Sequence, residues 1–380
     1  MIRSIALISA SALLGACASN TSYESTSAPP LPLPTVVASV YLVGDAGDDS
    51  PGRDRVLAAV RSDLEDHRGR HPGTPALVAF LGDNIYDVGA RPEFRGVDRE
   101  LLAAQVDVVP DAPGIQGIFL PGNHDWGKGA GDPDGQSAIE VQRRWIDEIA
   151  AGRQLRLLPT DSCAAPAVVD VARDVHLVFI DTEWLLRRPN DPCGGVDRFY
   201  ERLEEALASR RGGRLILAAH HPMTTGGPHG GNVSLFENVP ILYYLAVKSG
   251  MSVQDLGSGR YSDMIQRLRR VIRESGAVPI AIASGHDHSL QVIRMSDGDG
   301  PYFQLVSGSA SKSSAAKRIE GTRYATSAHG YMRLDFTGDD VRVVTYALAD
   351  DDAVRPVFAC SLAVEAGRSC PEARLRGRSP

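Results

Sequence analysis

Apolar and polar positions follow two alternating periods along this chain. Short apolar runs rich in Val, Ile, Leu and Ala, closed by Gly, Pro or Asp, predict strands at Val36–Val43, Ala76–Leu81 and Ile115–Leu120. Between them, charged and apolar residues recur at helical spacing over Asp54–His67 and Arg99–Gln105. Ser137, with Glu140 three residues on, predicts the cap of a helix over Ala138–Ala150. Val168–Val171 and Val175–Ile180 predict strands joined by a turn. A helix over Arg198–Arg210 and a strand over Arg214–Ala219 follow. After a helix over Tyr261–Glu274 come strands at Val278–Ala283, Leu290–Met295, Tyr302–Ser307, Tyr331–Phe336 and Val341–Ala347. The first third alternates strand and helix and the last third is strand-rich. An α/β fold of two packed sheets with helices outside satisfies both.

Three stretches break the pattern. Gly226 to Gly259 holds two Gly pairs and an apolar, aromatic segment, Val239 to Val247, which predicts a loop and short helix partly covering a site. Ser19 to Pro34 is rich in Ser, Thr and Pro and predicts an extended tether over 17–35, before a folded domain over 36–350 and a polar tail over 351–380. Arg3 followed by the apolar stretch Ile5–Ala16, too short to span a bilayer, predicts a signal segment over 1–16. Its end, Leu14-Gly15-Ala16-Cys17, resembles a bacterial lipoprotein box. That resemblance implies cleavage before Cys17 and acyl chains on it, each buried methylene contributing ~0.8 kcal/mol of membrane affinity. Ala18 and Ser19, in place of Asp, then imply the outer membrane, facing the periplasm. The alternative is an ordinary signal peptide with an incidental Cys17.

Composition changes the picture little. The 380 residues carry 47 acidic and 40 basic side chains, a net charge of −7, with no basic cluster, which sets nucleic-acid binding aside. No obligatory protein partner is evident. Acidic net charge does not attract a phosphorylated substrate, so attraction must come from local cations. Apart from Cys17, four cysteines remain, Cys163, Cys193, Cys360 and Cys370. In an exported protein they predict two disulfides with three possible connectivities, Cys163–Cys193 and Cys360–Cys370 being the pairs nearest in sequence.

The candidate chemistry gathers at predicted strand ends. Gly82-Asp83-Asn84-Ile85-Tyr86 closes one strand, where open α/β sheets place their ligands. Gly44-Asp45-Ala46-Gly47, Gly122-Asn123-His124-Asp125, His220-His221 and Gly285-His286-Asp287-His288 each follow another apolar run. Of ten histidines, six (His124, His220, His221, His229, His286 and His288) fall in these few loops, which points to metal binding rather than scattered core histidines. One carboxylate, Asp83, is able to bridge two cations. Asp125 and Asp287 are expected to orient neighbouring imidazoles, His221 to support a ligand, and Asp181 to brace a loop. Trp126 and Trp184 are expected to line a pocket or simply pack.

The order and wording of these blocks resemble the calcineurin-like metallophosphoesterases and, through Tyr86, the purple acid phosphatases among them. Val306-Ser307-Gly308-Ser309-Ala310 and Gly330-Tyr331 are similar to later family segments. The resemblance implies a four-layer α/β/β/α sandwich of two mixed sheets. It also implies that Asp45, Asp83, Tyr86 and His288 bind Fe(III), and that Asp83, Asn123, His220 and His286 bind divalent Fe, Zn or Mn. Hydrolysis of a phosphomonoester by a hydroxide generated between the two cations follows, with His124 and His229 as proton donors. A phosphodiester, nucleotide or phospholipid headgroup is the alternative substrate. A non-catalytic lipoprotein binding metal or a partner is the alternative class.

Overall fold

The computed structural model describes residues 23–24, 35–127, 135–160, 164–187, 194–230, 254–295, 301–338, 340–362, 370 and 374–375. The expected signal segment, Cys17, Cys163, Cys193 and the apolar segment Val239–Val247 lie outside them. Among the described residues no helix is long and apolar enough to cross a membrane.

The strands are β1 (Tyr23–Glu24), β2 (Ala38–Val43), β3 (Ala76–Phe80), β4 (Ile115–Phe119), β5 (Leu155–Leu157), β6 (Ala167–Ala172), β7 (Val175–Ile180) and β8 (Arg214–Ala219). They continue with β9 (Ala281–Ser284), β10 (Leu290–Arg294), β11 (Phe303–Ser307), β12 (Thr322–Thr326), β13 (Gly330–Phe336), β14 (Val341–Leu348), β15 (Val354–Ser361) and β16 (Arg374–Leu375). One sheet has seven strands in the order β15-β14-β13-β2-β3-β4-β5. The other has nine, in the order β16-β1-β12-β10-β11-β9-β8-β7-β6. Both are mixed: β2 to β5 run parallel while β13 pairs antiparallel with β2. Likewise β7, β8, β9 and β11 run parallel while β6 and β10 pair antiparallel.

Period-two alternation sorts the side chains into layers. Val40, Leu42, Leu77 and Ala79 of the first sheet meet Phe179, Ile216, Ala218 and Leu305 of the second between the sheets. Their neighbours Tyr41, Val43, Val78 and Phe80 face outward onto α1 (Pro51–Arg70), α2 (Arg95–Val106) and α3 (Gly135–Ala150), where Val56, Val60, Leu102 and Trp145 cover them. On the far side, Val178, Ile180, Leu215 and Leu217 pack under α4 (Thr182–Arg187), α5 (Gly195–Ala208) and α6 (Gly259–Ser275). Central strands buried on both faces read as continuous apolar runs, which is why the sequence signals them clearly. The result is the expected four-layer α/β/β/α sandwich.

The differences are local. Helix α3 starts at Gly135, so Ser137 sits inside its first turn and is not the cap. The observed caps are Ser50, whose side chain accepts from the Arg53 N–H at 3.2 Å, and Ser258, which accepts from the Tyr261 N–H at 3.3 Å. Strand β9 starts only at Ala281. Pro279 has no N–H for a ladder, and Val278 is exposed. The folded domain also runs past the expected boundary at 350. Strand β15 pairs with β14 as the edge of the seven-stranded sheet, and its exposed Arg355-Pro356-Val357 disguised it as tail. Within the expected tether, β1 pairs with β12 and β16. Cys360 and Cys370 stand at disulfide distance, with Cα atoms 5.2 Å apart.

Candidate metal centre

The parallel strands of both sheets deliver their carboxyl ends to one place. Asp45 follows β2, Asp83 follows β3, Asn123 and His124 follow β4, His220 follows β8, and His286 and His288 lie between β9 and β10. Backbone bonds tie these ends together: Gly44 N–H to Ser307 O at 2.8 Å, Asp45 N–H to Gly82 O at 3.0 Å, and Gly285 N–H to His220 O at 3.1 Å. Such closeness requires glycine at two points. A Cβ on Gly285 would stand 2.5 Å from Asp45 Oδ2, and one on Gly122 would collide with the Asp83 carboxylate. Asp45, Asp83 and His286 adopt left-handed backbone conformations (φ 59°, 54° and 69°), strain held in place by the surrounding bonds.

Two groups of donor atoms result. In the first, the Tyr86 hydroxyl lies 3.0 Å from Asp45 Oδ1, 2.9 Å from Asp83 Oδ2 and 3.1 Å from His288 Nε2. In the second, Asn123 Oδ1 lies 2.9 Å from His220 Nε2 and 3.1 Å from His286 Nδ1, and His220 Nε2 is 3.5 Å from Asp83 Oδ1. Thus the two oxygens of Asp83 face different groups. All seven residues expected to bind metal are brought together.

The outer contacts fix which imidazole nitrogen faces inward. His220 Nδ1 is 2.8 Å from Leu81 O and His286 Nε2 is 2.9 Å from Gln254 O. Carbonyls only accept, so these nitrogens carry the protons and leave lone pairs on His220 Nε2 and His286 Nδ1. His221 also lies close enough to His220 and His286 to make a three-histidine cluster. Both its nitrogens are engaged, however, by Thr182 Oγ1 and Gln254 Oε1 at 2.8 Å each, so it buttresses the group.

Electrostatics suits cations. Burial, then the Asp83 charge, pushes Asp45 well above the ordinary carboxylate range. Burial, then Asp45 and Asp83, pushes the Tyr86 phenol well above its usual value. Burial also raises Asp83, but His220 and His124 outweigh it and hold that carboxyl low. Burial lowers His220, His286 and His288, the last to about 4, so these imidazoles are neutral with lone pairs to offer. Three crowded oxygen acids against neutral imidazoles are a donor set that two cations would satisfy.

The two expected proton donors flank the groups. His124 Nδ1 is 2.6 Å from Asp87 O, its Nε2 is 4.0 Å from Asp83 Oδ2, and its ring packs edgewise on Tyr86 at 4.4 Å between centroids. The His229 ring lies tilted against His286, 4.2 Å between centroids, and bonds Asp255 Oδ1 through Nδ1 at 2.8 Å. Burial lowers His229, but Asp255 and Asp287 outweigh it and raise it above the usual histidine value.

The family profile described as calcineurin-like phosphoesterase matches residues 38–290, two thirds of the chain and all seven of these donors. The chain belongs to the calcineurin-like phosphoesterases. It is therefore a phosphoric-ester hydrolase by family, of a kind that acts on phosphorylated small molecules with two metal ions. Two solved structures share the fold. GAP50, the anchor in the inner membrane complex of Plasmodium, is 15% identical, with 86% of this chain and 89% of that chain covered and a TM-score of 0.54. PhoD is 12% identical, with 93% and 73% covered and a TM-score of 0.52. No curated protein matches the chain.

Two expectations about this phosphoesterase need correction. Asp125 orients no imidazole. Its carboxylate accepts from the backbone N–H of Gly122 (2.8 Å), Asn84 (3.0 Å) and Ile85 (3.1 Å), and from Asn84 Nδ2 (3.1 Å). Asp287 takes the backbone N–H of His229 at 3.2 Å, while the imidazole partner is Asp255. In both, the turn after the histidine aims the carboxylate at main chain. Asp181 braces a loop as expected, accepting from Trp126 Nε1 at 2.9 Å and Trp184 N–H at 3.0 Å. Both tryptophans are buried and also border a cavity of about 320 Å³. Gln254, Asp255 and Lys312 escaped the sequence reading. The first two end the Gly226–Gly259 stretch, and Lys312 follows the Val306–Ala310 block.

Proposed function

We propose that this phosphoesterase is of the purple acid phosphatase type, a phosphomonoesterase working with Fe(III) and a divalent ion. One observation carries the reading: the Tyr86 hydroxyl within 3.1 Å of Asp45, Asp83 and His288. A phenol and two carboxylates are hard donors that favour a trivalent ion, and Asp83, Asn123, His220 and His286 suit divalent Fe, Zn or Mn. When bound, the two cations supply Lewis acidity that lowers the pKa of a water and neutralises the phosphoryl oxygens.

The chain's own residues then do the rest. Asp83 fixes the spacing of the two positions through its separate oxygens. Asp87 O and Asp255 accept the Nδ1 protons of His124 and His229, so the protonated form of either supplies, from Nε2, the one proton that the leaving alkoxide takes. The acidic surroundings of His229 favour that charged form. Comparing an aryl phosphomonoester with a bis-aryl diester on metal-loaded protein tests the reading. Faster monoester turnover is expected, and faster diester turnover would move the assignment to a phosphodiesterase. The anchor role belongs to the Plasmodium protein by name, and the complete donor set favours turnover here.

The N-terminal resemblance supports an outer-membrane lipoprotein facing the periplasm. Fatty-acid labelling of the wild type that persists in Cys17→Ser would refute that placement.

A further inference from the structure

We propose that Lys312 is the site's fixed cation for the substrate phosphate and biases the enzyme toward monoesters. Its ammonium lies 3.7 Å from the centroid of the Tyr86 ring, the ring whose hydroxyl joins the first donor group. The ammonium also pairs with Asp87 Oδ1 at 3.5 Å, and that carboxylate stands in solvent, its side chain 80% exposed. An ion pair so exposed is weak, so Lys312 exchanges Asp87 for a phosphoryl oxygen at little cost. The same residue, Asp87, holds His124 through its carbonyl. One exposed turn residue therefore brackets two basic side chains, His124 and Lys312, that both pack on Tyr86.

Charge gives this pair its purpose. The chain is acidic overall, at −7, and cannot draw in a phosphate by its global field. A monoester phosphate has three terminal oxygens and up to two negative charges, while a diester has two terminal oxygens and one charge. A cation beyond the two metal positions thus adds a contact that a monoester uses more fully. The cation–π contact with Tyr86 holds the ammonium in place before substrate arrives.

Resting on the phosphomonoesterase reading above, the test separates the two claims. Inorganic phosphate is titrated into metal-loaded wild type, Lys312→Met, Lys312→Gln and Lys312→Arg, with metal content and melting temperature measured for each. Loss of a charge-assisted contact predicts about tenfold weaker phosphate binding in the Met and Gln variants, with recovery in Arg. KM for an aryl monoester should rise with kcat little changed, and KM for a bis-aryl diester should move less. Equal phosphate affinity in all four proteins, equal losses for both esters, or a fall in kcat alone would overturn it. A wild type that binds phosphate but turns over no monoester would sink the phosphomonoesterase reading and leave the binding comparison standing.

Discussion

Replacing Asp125 with asparagine should loosen the whole centre, although Asp125 belongs to neither donor group. The carboxylate serves four N–H donors from two loops, those of Gly122, Ile85 and both the backbone and side chain of Asn84. Asparagine preserves the volume but turns one oxygen into an NH₂ that confronts donors. Gly122 N–H and Asn84 Nδ2 both reach Oδ2, and Ile85 N–H reaches Oδ1, so either amide orientation strands at least one buried donor and usually two. At ~1–3 kcal/mol for each stranded donor, one or two of them cost ~1–6 kcal/mol, or roughly 2–10 °C in melting temperature for a domain of this size. Those loops carry Asp83 and Asn123, so metal affinity should fall about 10–100-fold, as for other outer contacts of metal sites. Calorimetry and metal content after dialysis against a chelator of fixed strength measure both effects. A variant melting within a degree of wild type and retaining full metal would refute the stapling role.

Asp255→Asn removes one of the carboxylates that raise His229. The protonated form is the proton donor, so activity is present below its pKa and lost as pH rises through it. The alkaline limb of kcat/KM should therefore move to lower pH in the variant, and an unmoved limb would exclude His229 as the acid. His124→Gln should slow an alkyl phosphate by about 10²–10⁴-fold but an aryl phosphate far less, because only the alkoxide needs a proton. Equal losses on both substrates would assign His124 to binding instead.

The centre was legible because its signals are local. Each of Asp45, Asp83, Asn123 and His220 follows an apolar strand by a few residues, and both sheets end at one edge. Edge strands were not, since β15 buries only part of its length and exposes Arg355 to Val357. Asp125 and Asp287 misled because adjacency to a histidine suggests a partner, whereas the direction of a carboxylate is set by the turn. Asp255 and Lys312 acquire their roles only through folding, which carries Asp255 to His229 and Lys312 over Tyr86. No periodicity encodes such meetings.

Metal analysis joined to a visible spectrum, on wild type and Tyr86→Phe, bears most directly on the paired-cation centre. A coloured, iron-containing wild type and a bleached variant are predicted, the colour arising from charge transfer between the Tyr86 phenolate and Fe(III). A colourless, iron-free protein that still hydrolyses phosphomonoesters would contradict the assignment of iron beside Tyr86.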